Sequence, residues 1–336
     1  MSMSNISIVI PNWNGDKLIS DCLKSLEKQT LPVNIIVVDN GSTDNSIPLI
    51  EKDFPGVQLI KLGINKGFAG GVNVGIKESI DKGYEYIALF NNDAIADSHW
   101  VEKLVKTAKN HPKAGIVTGK LMALDKKHFD STGEFFHIWG VPSPRGRLEV
   151  DKGQYNQPSS VFGATGGASL YKASLFKDIG FFDESFFMYY EDTDISFRAQ
   201  LAGWTVYYNP KAVAYNYIGA STEKVKGLHA YNTLKNQPLL ILKNVPIKML
   251  CGFLLRFCLI YTLTFLVMVR SGNFLPALHG VISSVLITPH ALVERHKIQS
   301  KRKVSDSYIR SIMSSNLPPG MNKIDLLIKR LGFNNV

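Results

Sequence analysis

The chain contains few cysteines and no segment typical of an export signal. Cys22, Cys251 and Cys258 are too few and too widely spaced for a disulfide framework or a thiolate zinc site. The first fifteen residues, MSMSNISIVIPNWNG, lack a basic stretch followed by a long apolar segment and a small-residue cleavage site. These absences predict a reducing compartment on the cytosolic side of the membrane.

Negative charge is scarce only in the last third of the chain. Residues 1–242 carry 25 Lys and Arg against 25 Asp and Glu, whereas residues 243–336 carry 13 against 3, so the net charge of +10 lies in this tail. The tail is also rich in Leu, Ile, Phe and Val, and basic residues beside apolar helices favour anionic lipid head groups over nucleic acid. A basic helical face solvated by water is the alternative.

The tail lacks an uninterrupted apolar run long enough to cross a membrane. Residues 249–269 are apolar apart from Arg256, and the run 257–269 has 13 residues, fewer than the roughly 20 that a spanning helix needs. Pro and Gly interrupt the nearly uncharged segment 274–293. We therefore expect helices that lie on or partly in the membrane, with a buried helical hairpin as the alternative. Truncation after about Lys243 is expected to release the protein from membranes while leaving the donor site folded.

Nothing in the composition indicates disorder, since 45% of the 336 residues are hydrophobic and 20% are charged. The first hundred residues alternate amphipathic helical patterns with short runs rich in Ile and Val, as expected of strands buried on both faces. This order predicts an α/β fold with a mostly parallel sheet that binds ligands beyond the carboxyl ends of its strands. The runs are 6–10, 34–38, 57–62 and 86–90, and the helical faces between the first three carry Leu18, Cys22, Leu23 and Leu26, then Ile47, Leu49, Ile50 and Phe54.

The sequence is less regular beyond the first hundred residues. Several Pro and Gly residues within 125–165 predict loops and short antiparallel strands. Helical patterning returns over 172–179 and again over 194–202.

A polar, turn-rich loop follows each of the four predicted strands: PNWNG, DNGSTD, NKGFAGG and NNDA. Four such loops at one edge of a sheet would form one polar pocket.

Asp39 ends the second strand, where a nucleotide base or ribose can donate hydrogen bonds to a carboxylate. Turn formation and helix capping account for most other residues of that loop. The glycines of segment 65–73 allow close backbone approach at a helix N-terminus, which suits a diphosphate but is weak evidence alone.

Two carboxylate features suggest chemistry. Asp93 and the two asparagines before it can supply hard oxygen ligands to Mg²⁺ or Mn²⁺, although such a sequence also forms ordinary turns. Glu191, Asp192 and Asp194 place three carboxylates within four positions, where they repel one another unless a cation, a donor or a raised pKa relieves them. This cluster is a candidate general base, and acidic residues favoured by a helix dipole are the alternative.

Taken in order, these motifs resemble those of the family 2 inverting glycosyltransferases with the GT-A fold, most closely the rhamnosyltransferase-like branch. The similarity covers about residues 5–222 and includes SIVIPNWNG, VDNGSTD, NKGFAGGVNVGI, LFNNDA and YYEDTDISFRAQLAGW. It implies a Rossmann-like, mostly parallel sheet flanked by helices, with a C-terminal helical, membrane-associated segment. The implied glycosyltransferase domain spans 1–242, with a nucleotide-binding half of about 1–120 and an acceptor half of about 121–242. The basic, hydrophobic helical region 243–336 follows it.

The resemblance also implies roles for individual residues. Asp192 would be the catalytic base with Glu191 beside it, Asp93 would bind Mg²⁺ or Mn²⁺, and Asp39 would contact the base of the donor. Members of this branch often have His where this chain has Asn216, which implies weaker or optional metal dependence. The other positions implied to contact the donor are Pro11, Asn12, Trp13, Asn65, Gly67, Gly71, Asn73 and Asn92.

The implied reaction is a single in-line displacement. Asp192 would take the proton of an acceptor hydroxyl as this hydroxyl attacks the anomeric carbon opposite the leaving nucleoside diphosphate. The implied donor is dTDP-rhamnose, with a UDP-sugar as the alternative. The implied acceptor is a saccharide, linked to polyprenyl diphosphate at the inner face of a bacterial membrane, in cell-surface polysaccharide biosynthesis. A peripheral location on that face follows, and a homodimer is compatible with it.

Two other classes of protein compete with this interpretation. A non-catalytic protein that binds sugar nucleotides or carbohydrate would explain the reduced metal motif and Asn216, although the acidic cluster argues against it. A nucleotidyltransferase would need a Gly-rich loop with Arg and Lys after the first strand, where residues 12–14 read Asn-Trp-Asn.

Overall fold

The computed structural model describes residues 5–217 and 225–317, which form an α/β fold around one large sheet. The strands are β1 (Ile6–Asn12), β2 (Asn34–Asp39), β3 (Gln58–Lys61), β4 (Tyr86–Phe90), β5 (Ala94–Ala96), β6 (Ala114–Ala123), β7 (Phe129–Ser131), β8 (Glu134–Phe136), β9 (Pro142–Pro144), β10 (Ser159–Val161), β11 (Ala168–Lys172) and β12 (Thr205–Asn216). The helices are α1 (Ile19–Glu27), α2 (Ser46–Asp53), α3 (Gly67–Asp81), α4 (Trp100–Asn110), α5 (Ala173–Ile179), α6 (Glu191–Leu201), α7 (Leu228–Asn244), α8 (Ile247–Arg270), α9 (Phe274–Leu286), α10 (Thr288–Ser300) and α11 (Asp306–Ile312).

The strand order in the large sheet is β10-β12-β6-β11-β4-β1-β2-β3, with β5 paired to β12 and β7 to β6. The half that contains β1 to β4 is parallel, as the alternation of apolar runs and helices predicted. The predicted short antiparallel strands of 125–165 are also confirmed. Strand β11 runs antiparallel to both β4 and β6, because the chain returns to the sheet at its carboxyl edge, beside the end of β4.

The predicted helices agree closely with the observed ones, except that α6 begins at Glu191 rather than at residue 194. Apolar residues cover both faces of the sheet. On one face, Ile8 and Ile10 pack with α1, α2 and α4, and on the other Val9 packs with α3, α5 and α6. Burial of both faces explains why these strands are continuously apolar.

A third apolar cluster joins the region after residue 243 to the rest of the protein. Phe136 and Phe197 share this cluster with Leu240 on α7, Phe253 on α8 and Ile309 on α11. Truncation after Lys243 would therefore expose buried aromatic rings of this cluster to water, and the expectation that the donor site stays folded without the tail stays a prediction.

Helix α8 has 24 residues and is long and apolar enough to cross a membrane, by length and composition only. It is longer than the uninterrupted apolar run 257–269 because Arg256 interrupts the apolar sequence without ending the helix. Whether α8 spans a membrane or lies on it stays untested. Only 17% of the most apolar stretch of α8 is buried, so α8 is not a core helix. Helices α9 and α10 satisfy the same criteria as a pair, with a bend of 53° between them.

Helix α7 contains Pro238, which has no N–H to donate to the carbonyl oxygen of Leu234. The hydroxyl of Tyr261 on α8 donates to that oxygen instead, at 2.8 Å. The bond that Pro238 removes from α7 is therefore replaced by one from α8.

Candidate active site

A cleft of about 670 Å³ opens at the carboxyl edge of the sheet, beyond the ends of β4 and β12. It brings together three of the residues that the sequence singled out, Asp93, Glu191 and Asp192. Side chains from the segment 130–147 form a further part of its lining, including Asp130, Glu134 and Arg147. Strand ends far apart in the chain thus meet at one cavity, as expected for an α/β sheet.

The segment that precedes α6 places Glu191 and Asp192 in the cleft. Tyr190 has a left-handed backbone conformation, with φ of 71°, and α6 begins at the next residue. The Asp192 carboxylate accepts hydrogen bonds from the N–H of Thr193 at 2.8 Å and the N–H of Gly166 at 3.4 Å. Gly166 precedes β11 at the same sheet edge, so the sheet and α6 together orient this carboxylate.

Three carboxyl groups in the cleft have raised pKa values. Burial raises the pKa of Asp192. Burial, followed by the negative charge of Asp192, raises the pKa of Glu191 and of Glu134 well above the ordinary range. A carboxylate with a raised pKa is a stronger base than an ordinary one, so this arrangement suits proton abstraction near neutral pH.

Glu134 is a cleft residue that the sequence analysis did not identify. It lies on β8, is buried, and accepts a hydrogen bond from the hydroxyl of Thr193 at 3.1 Å. The two residues are 59 positions apart in sequence. Neither residue spacing nor a local motif within 125–165 indicated this contact.

The raised pKa of Glu134 predicts a pH-dependent cost to stability. Folded Glu134 keeps a proton that the unfolded chain releases at a pKa of about 4.3, so stability falls as pH rises from about 4 through the raised pKa. Glu134→Gln should therefore be more stable than wild type at about pH 8, by a margin that shrinks toward about pH 4. Urea unfolding across this range measures the margin. The exposed control Glu27→Gln should show no such trend, and a margin for Glu134→Gln that does not change with pH would contradict the prediction.

Asp194 does not belong to the cleft, which corrects its grouping with Glu191 and Asp192 as a catalytic cluster. Its fully buried carboxylate accepts from Arg198 Nε at 2.8 Å, pairs with Lys243 Nζ at 2.9 Å and accepts from Asn244 Nδ2 at 2.8 Å. Burial raises its pKa, but the charges of Lys243 and Arg198 outweigh that effect and lower it. Asp194 therefore connects α6 to α7.

A chain of side-chain hydrogen bonds connects the ends of β4, β1 and β2. The Nδ2 of Asn92 donates to Asn12 Oδ1 at 2.7 Å, and Asn12 Nδ2 donates to Asp39 Oδ1 at 3.1 Å. The other Asp39 oxygen accepts from the N–H groups of Gly41 and Ser42, at 3.1 and 2.9 Å. Asp39 is buried behind this turn and is not among the residues that line the cleft. Its contact with a nucleotide base stays a prediction.

The glycine-rich segment packs tightly against the protein itself. Gly67 begins α3 with φ of 73°, and Asn65 Oδ1 accepts its N–H at 2.8 Å. A Cβ atom at Gly71 would lie 2.5 Å from Asn40 Nδ2, so any other residue there would require the Asn40 side chain to move. Asn73 donates to the carbonyl oxygen of Phe182 at 2.8 Å and accepts its N–H at 3.0 Å. These contacts shape the helix terminus, and the predicted contacts with donor phosphate stay predictions.

The first-strand residues lie at the same sheet edge. Pro11 is in β1 opposite Val38 of β2, and Trp13 follows β1 with a partly exposed side chain. Neither residue lines the cleft of Asp192. Their predicted contacts with the nucleotide are likewise untested.

Asn216 lines the same cleft as Asp93. It ends β12 opposite Ala94 of β5, and its Nδ2 donates to Asp130 Oδ2 at 2.8 Å. A carboxylate only accepts hydrogen bonds, so this contact directs the amide oxygen away from Asp130. That oxygen is buried and has no hydrogen-bond partner among the residues that the structure describes. The downstream Gly219 and Ser221 of the same motif lie outside the described residues.

The oxygens of Asp93 and Asn216 fit a hard divalent cation that takes its remaining ligands from substrate phosphates and water. Across residues 5–217 and 225–317, there is no cluster of three or more His, Cys, Asp or Glu side chains arranged for a metal. The position therefore suits a cation that arrives with a nucleoside diphosphate better than one bound permanently by the protein.

Comparison with known proteins agrees with this geometry. Residues 7–180 match Glycosyl transferase family 2. The dTDP-rhamnosyl transferase RfbF of Shigella flexneri is 30% identical over 258 residues, which cover 73% of this chain and 82% of that protein. The poly-beta-1,6-N-acetyl-D-glucosamine synthase of Staphylococcus epidermidis is 28% identical over 222 residues, which cover 63% of this chain and 50% of the synthase. This chain thus spans about half the length of the synthase.

A solved structure supports the fold independently. GalNAc-T7 with UDP, GalNAc and Mn²⁺ superimposes with a TM-score of 0.56 at 14% identity, covering 70% of this chain and 47% of that one. The motifs along the sheet edge, the matched region and the relatives lead to one conclusion. The chain belongs to the family 2 glycosyltransferases and has the GT-A fold.

Proposed function

We propose that this enzyme is an inverting transferase in which Asp192 is the general base. The observation that supports this most directly is the position of Asp192, buried in the same cleft as Asp93 with a raised pKa. Burial of Asp192 itself is the cause of that raised pKa, and Glu191 is buried beside it.

The proposed reaction is one displacement step. The acceptor oxygen forms a bond to the anomeric carbon while the bond from that carbon to the donor phosphate oxygen breaks. Asp192 receives the acceptor proton, and the nucleoside diphosphate leaves with the electron pair of the broken bond. Attack from the face opposite the leaving group inverts the anomeric configuration.

Asp93 and Asn216 are the residues that would bind Mg²⁺ or Mn²⁺, which when present offsets negative charge on the departing diphosphate. Among the described residues that line the cleft, Arg147 is the one Lys or Arg side chain. It pairs with Asp130 at 2.7 Å while 43% of its side chain remains exposed, so it can also contact an anionic substrate group.

For the donor, we favour dTDP-rhamnose, on the support of the Shigella relative, with a UDP-sugar as the alternative that GalNAc-T7, whose structure contains UDP, supports. For the acceptor, we favour a saccharide on polyprenyl diphosphate in cell-surface polysaccharide synthesis.

A thermal-shift screen of dTDP-rhamnose and UDP-sugars identifies the donor, because a ligand that binds only folded protein raises its stability. Transfer of sugar from any donor would discard the non-catalytic alternative, and its absence with every donor and saccharide tested would support that alternative.

The metal proposal predicts that part of the donor affinity depends on Mn²⁺. Asp93→Asn and Asn216→Ala should each reduce the Mn²⁺-dependent gain in donor affinity by about tenfold or more, because one of two protein oxygens is lost or weakened. Isothermal titration of donor with Mn²⁺ and with EDTA measures this gain. Asp81→Asn changes an exposed Asp on α3 and should leave it intact. Equal donor affinity with Mn²⁺ and with EDTA in the wild type would contradict the proposal.

We propose a peripheral location on the cytoplasmic face of the membrane, which brings a lipid-linked acceptor to the cleft. The support is the exposed apolar surface of α8 to α10. The buried residues of α8, Phe253, Phe257 and Ile260, share one helical face that packs on the rest of the protein. Because α8 lies along the protein on that face, its other face suits contact with a membrane surface better than a span. That other face and its neighbours expose Leu254, Leu255, Leu266, Val267, Leu275, Ile282, Val285 and Leu286.

This location predicts that the protein floats with vesicles that contain phosphatidylglycerol at low salt. Leu255→Glu combined with Val267→Glu should abolish flotation, because both side chains are more than half exposed and a buried charge opposes insertion. Leu148→Glu, equally exposed but outside this region, is the matched control. Alkaline carbonate should release the bound wild type. Wild type that remains with the supernatant, or that resists carbonate, would contradict a peripheral location.

A further inference from the structure

The four residues before Glu191 form a strained turn. Phe187, Tyr189 and Tyr190 have φ values of 64°, 68° and 71°, which residues with a side chain rarely adopt. Such conformations persist only where the surrounding structure imposes them, and they occur often near catalytic groups. The last of the three lies directly before Glu191 and Asp192.

Helix α7 supplies the contacts that impose this turn. The Nδ2 of Asn236 donates to the carbonyl oxygens of Phe186, Met188 and Tyr189, at 2.9, 3.0 and 2.9 Å. An amide has two hydrogens, so three acceptors share them. Asn236 is fully buried, and water does not compete for these bonds.

The residues on either side of Asn236 contact the same segment. Lys235 Nζ donates to the carbonyl oxygen of Ser185 at 2.8 Å. Gln237 Nε2 donates to the hydroxyl of Tyr190 at 2.9 Å. Three consecutive residues of α7 thus bind the segment 185–190, with Asn236 at the strained part.

We propose that Asn236 is a positioning residue of the transfer reaction, which holds the turn 187–190 in the left-handed conformation that places Asp192 in the cleft. The inference rests on the proposed role of Asp192 as the base. Asn236 acts through the turn, since its bonds are to backbone oxygens of residues 186, 188 and 189.

A role limited to fold stability is a weaker explanation of these contacts. Helix α6 is attached to α7 independently of Asn236, through the contacts of Asp194 with Lys243 and Asn244. Loss of the Asn236 amide therefore loosens the strained residues and the start of α6, which carries Asp192, while the helix from Asp194 onward stays docked. A shift of the turn by about 1 Å is enough to reduce turnover by about 100-fold.

Asn232 provides a matched control on the same helix. It is one helical turn before Asn236 and equally buried, but its side-chain nitrogen and oxygen have no hydrogen-bond partner among the residues that the structure describes. Both Asn236→Ala and Asn232→Ala thus remove a carboxamide from α7. Asn236→Ala also removes hydrogen bonds to the turn, whereas Asn232→Ala does not.

The experiment compares kcat, donor KM, the pH profile of kcat and the melting temperature of both variants in the full chain. Asn236→Ala should lower kcat by about 100-fold and leave donor KM within about twofold, because the donor side of the cleft is unchanged. The acidic limb of its pH profile should move toward that of an ordinary Asp as water reaches Asp192. Asn232→Ala should keep the wild-type kcat and pH profile.

The inference is overturned if Asn236→Ala has the kcat and pH profile of Asn232→Ala, whatever its melting temperature. If Asn236→Ala does not fold, Asn236→Ser, which keeps one shorter hydroxyl donor, replaces it, and a wild-type kcat in that variant overturns the inference too. The proposed function is tested separately. Full activity of Asp192→Asn would reject Asp192 as the base, whatever the result for Asn236→Ala.

Discussion

Asp192→Asn is expected to lower kcat by about 10³-fold while the donor dissociation constant changes by no more than about twofold. The amide has nearly the size of the carboxylate, and its one oxygen can still accept from the N–H of Thr193. Only the longer bond from the N–H of Gly166, at 3.4 Å, is lost, so most of the local structure should persist. It cannot take a proton from the acceptor, so the step that needs a base slows. Single-turnover transfer and calorimetric titration of the donor measure the two quantities.

The exposed Asp81 on α3 is the control for this experiment, and Asp81→Asn should have the wild-type kcat. Full activity of Asp192→Asn would reject Asp192 as the base. A large loss of donor affinity together with kcat would show instead that the side chain binds the donor.

The pH profile of the wild type provides further support for the same assignment. A base must be ionised, so activity is lost as pH falls through its pKa, and burial places that pKa above the ordinary Asp value of about 3.9. The charge of Asp192 raises the pKa of its neighbours Glu191, Glu134 and Tyr171, so these groups stay protonated as Asp192 ionises. Glu134→Gln, which keeps that position neutral, should therefore leave the acidic limb of kcat near its wild-type position.

Lys243→Met is expected to destabilise the protein by about 3 kcal/mol or more, the largest stability change that we expect from one substitution. Lys243 is buried between Asp183 at 2.6 Å and Asp194 at 2.9 Å. Methionine fills a similar volume but leaves two carboxylates without their shared cation, and an uncompensated buried charge is costly. Urea unfolding at neutral pH measures the loss. Activity per folded molecule tests whether the cleft is preserved.

The effect should depend on pH in a defined direction. Burial raises the pKa of Asp183, but the Lys243 charge outweighs it and lowers that pKa below its usual range, as it does for Asp194. The stabilisation is present above the unfolded pKa of about 3.9 and is lost as pH falls through the lowered values. The deficit of Lys243→Met should thus shrink in acid.

Lys297→Met is the control, because Lys297 pairs with Glu294 on the surface with 61% of its side chain exposed. Its stability should stay within about 0.5 kcal/mol of wild type. Equal stabilities of the two variants would contradict the buried-cation account.

The parallel half of the sheet was predictable because its signals are local. Each apolar run is continuous, each helical face repeats within a few residues, and each polar loop directly follows its strand. Such patterns determine secondary structure and place Asp93 at the sheet edge without any knowledge of distant contacts.

The acidic cluster was only partly predictable. Its three carboxylates look equivalent in sequence, but successive helical residues are rotated by about 100°, so Asp194 points about 200° away from Asp192 once both are in α6. The expectation that helical pattern began only at residue 194 concealed this difference. The contact partners that decide the outcome, Lys243 and Asn244, are about fifty residues further along the chain.

Glu134 and Asn236 were not predictable for a related reason. Glu134 occurs in the irregular segment 125–165, and Asn236 occurs in a polar stretch of α7 with no motif of its own. Their importance depends on contacts with residues 59 and about fifty positions away, which no local period reveals.

The hydrogen bond from Tyr261 that replaces the one missing at Pro238 also links α7 to α8. Tyr261 completes α7 from the inner side of α8, while the outer side of α8 is open to its surroundings. The Tyr261 hydroxyl binds α7 at Leu234, and Asn236 follows two residues later. The exposed apolar surface of α8 and the backbone that leads to Asp192 are therefore connected through one turn of α7.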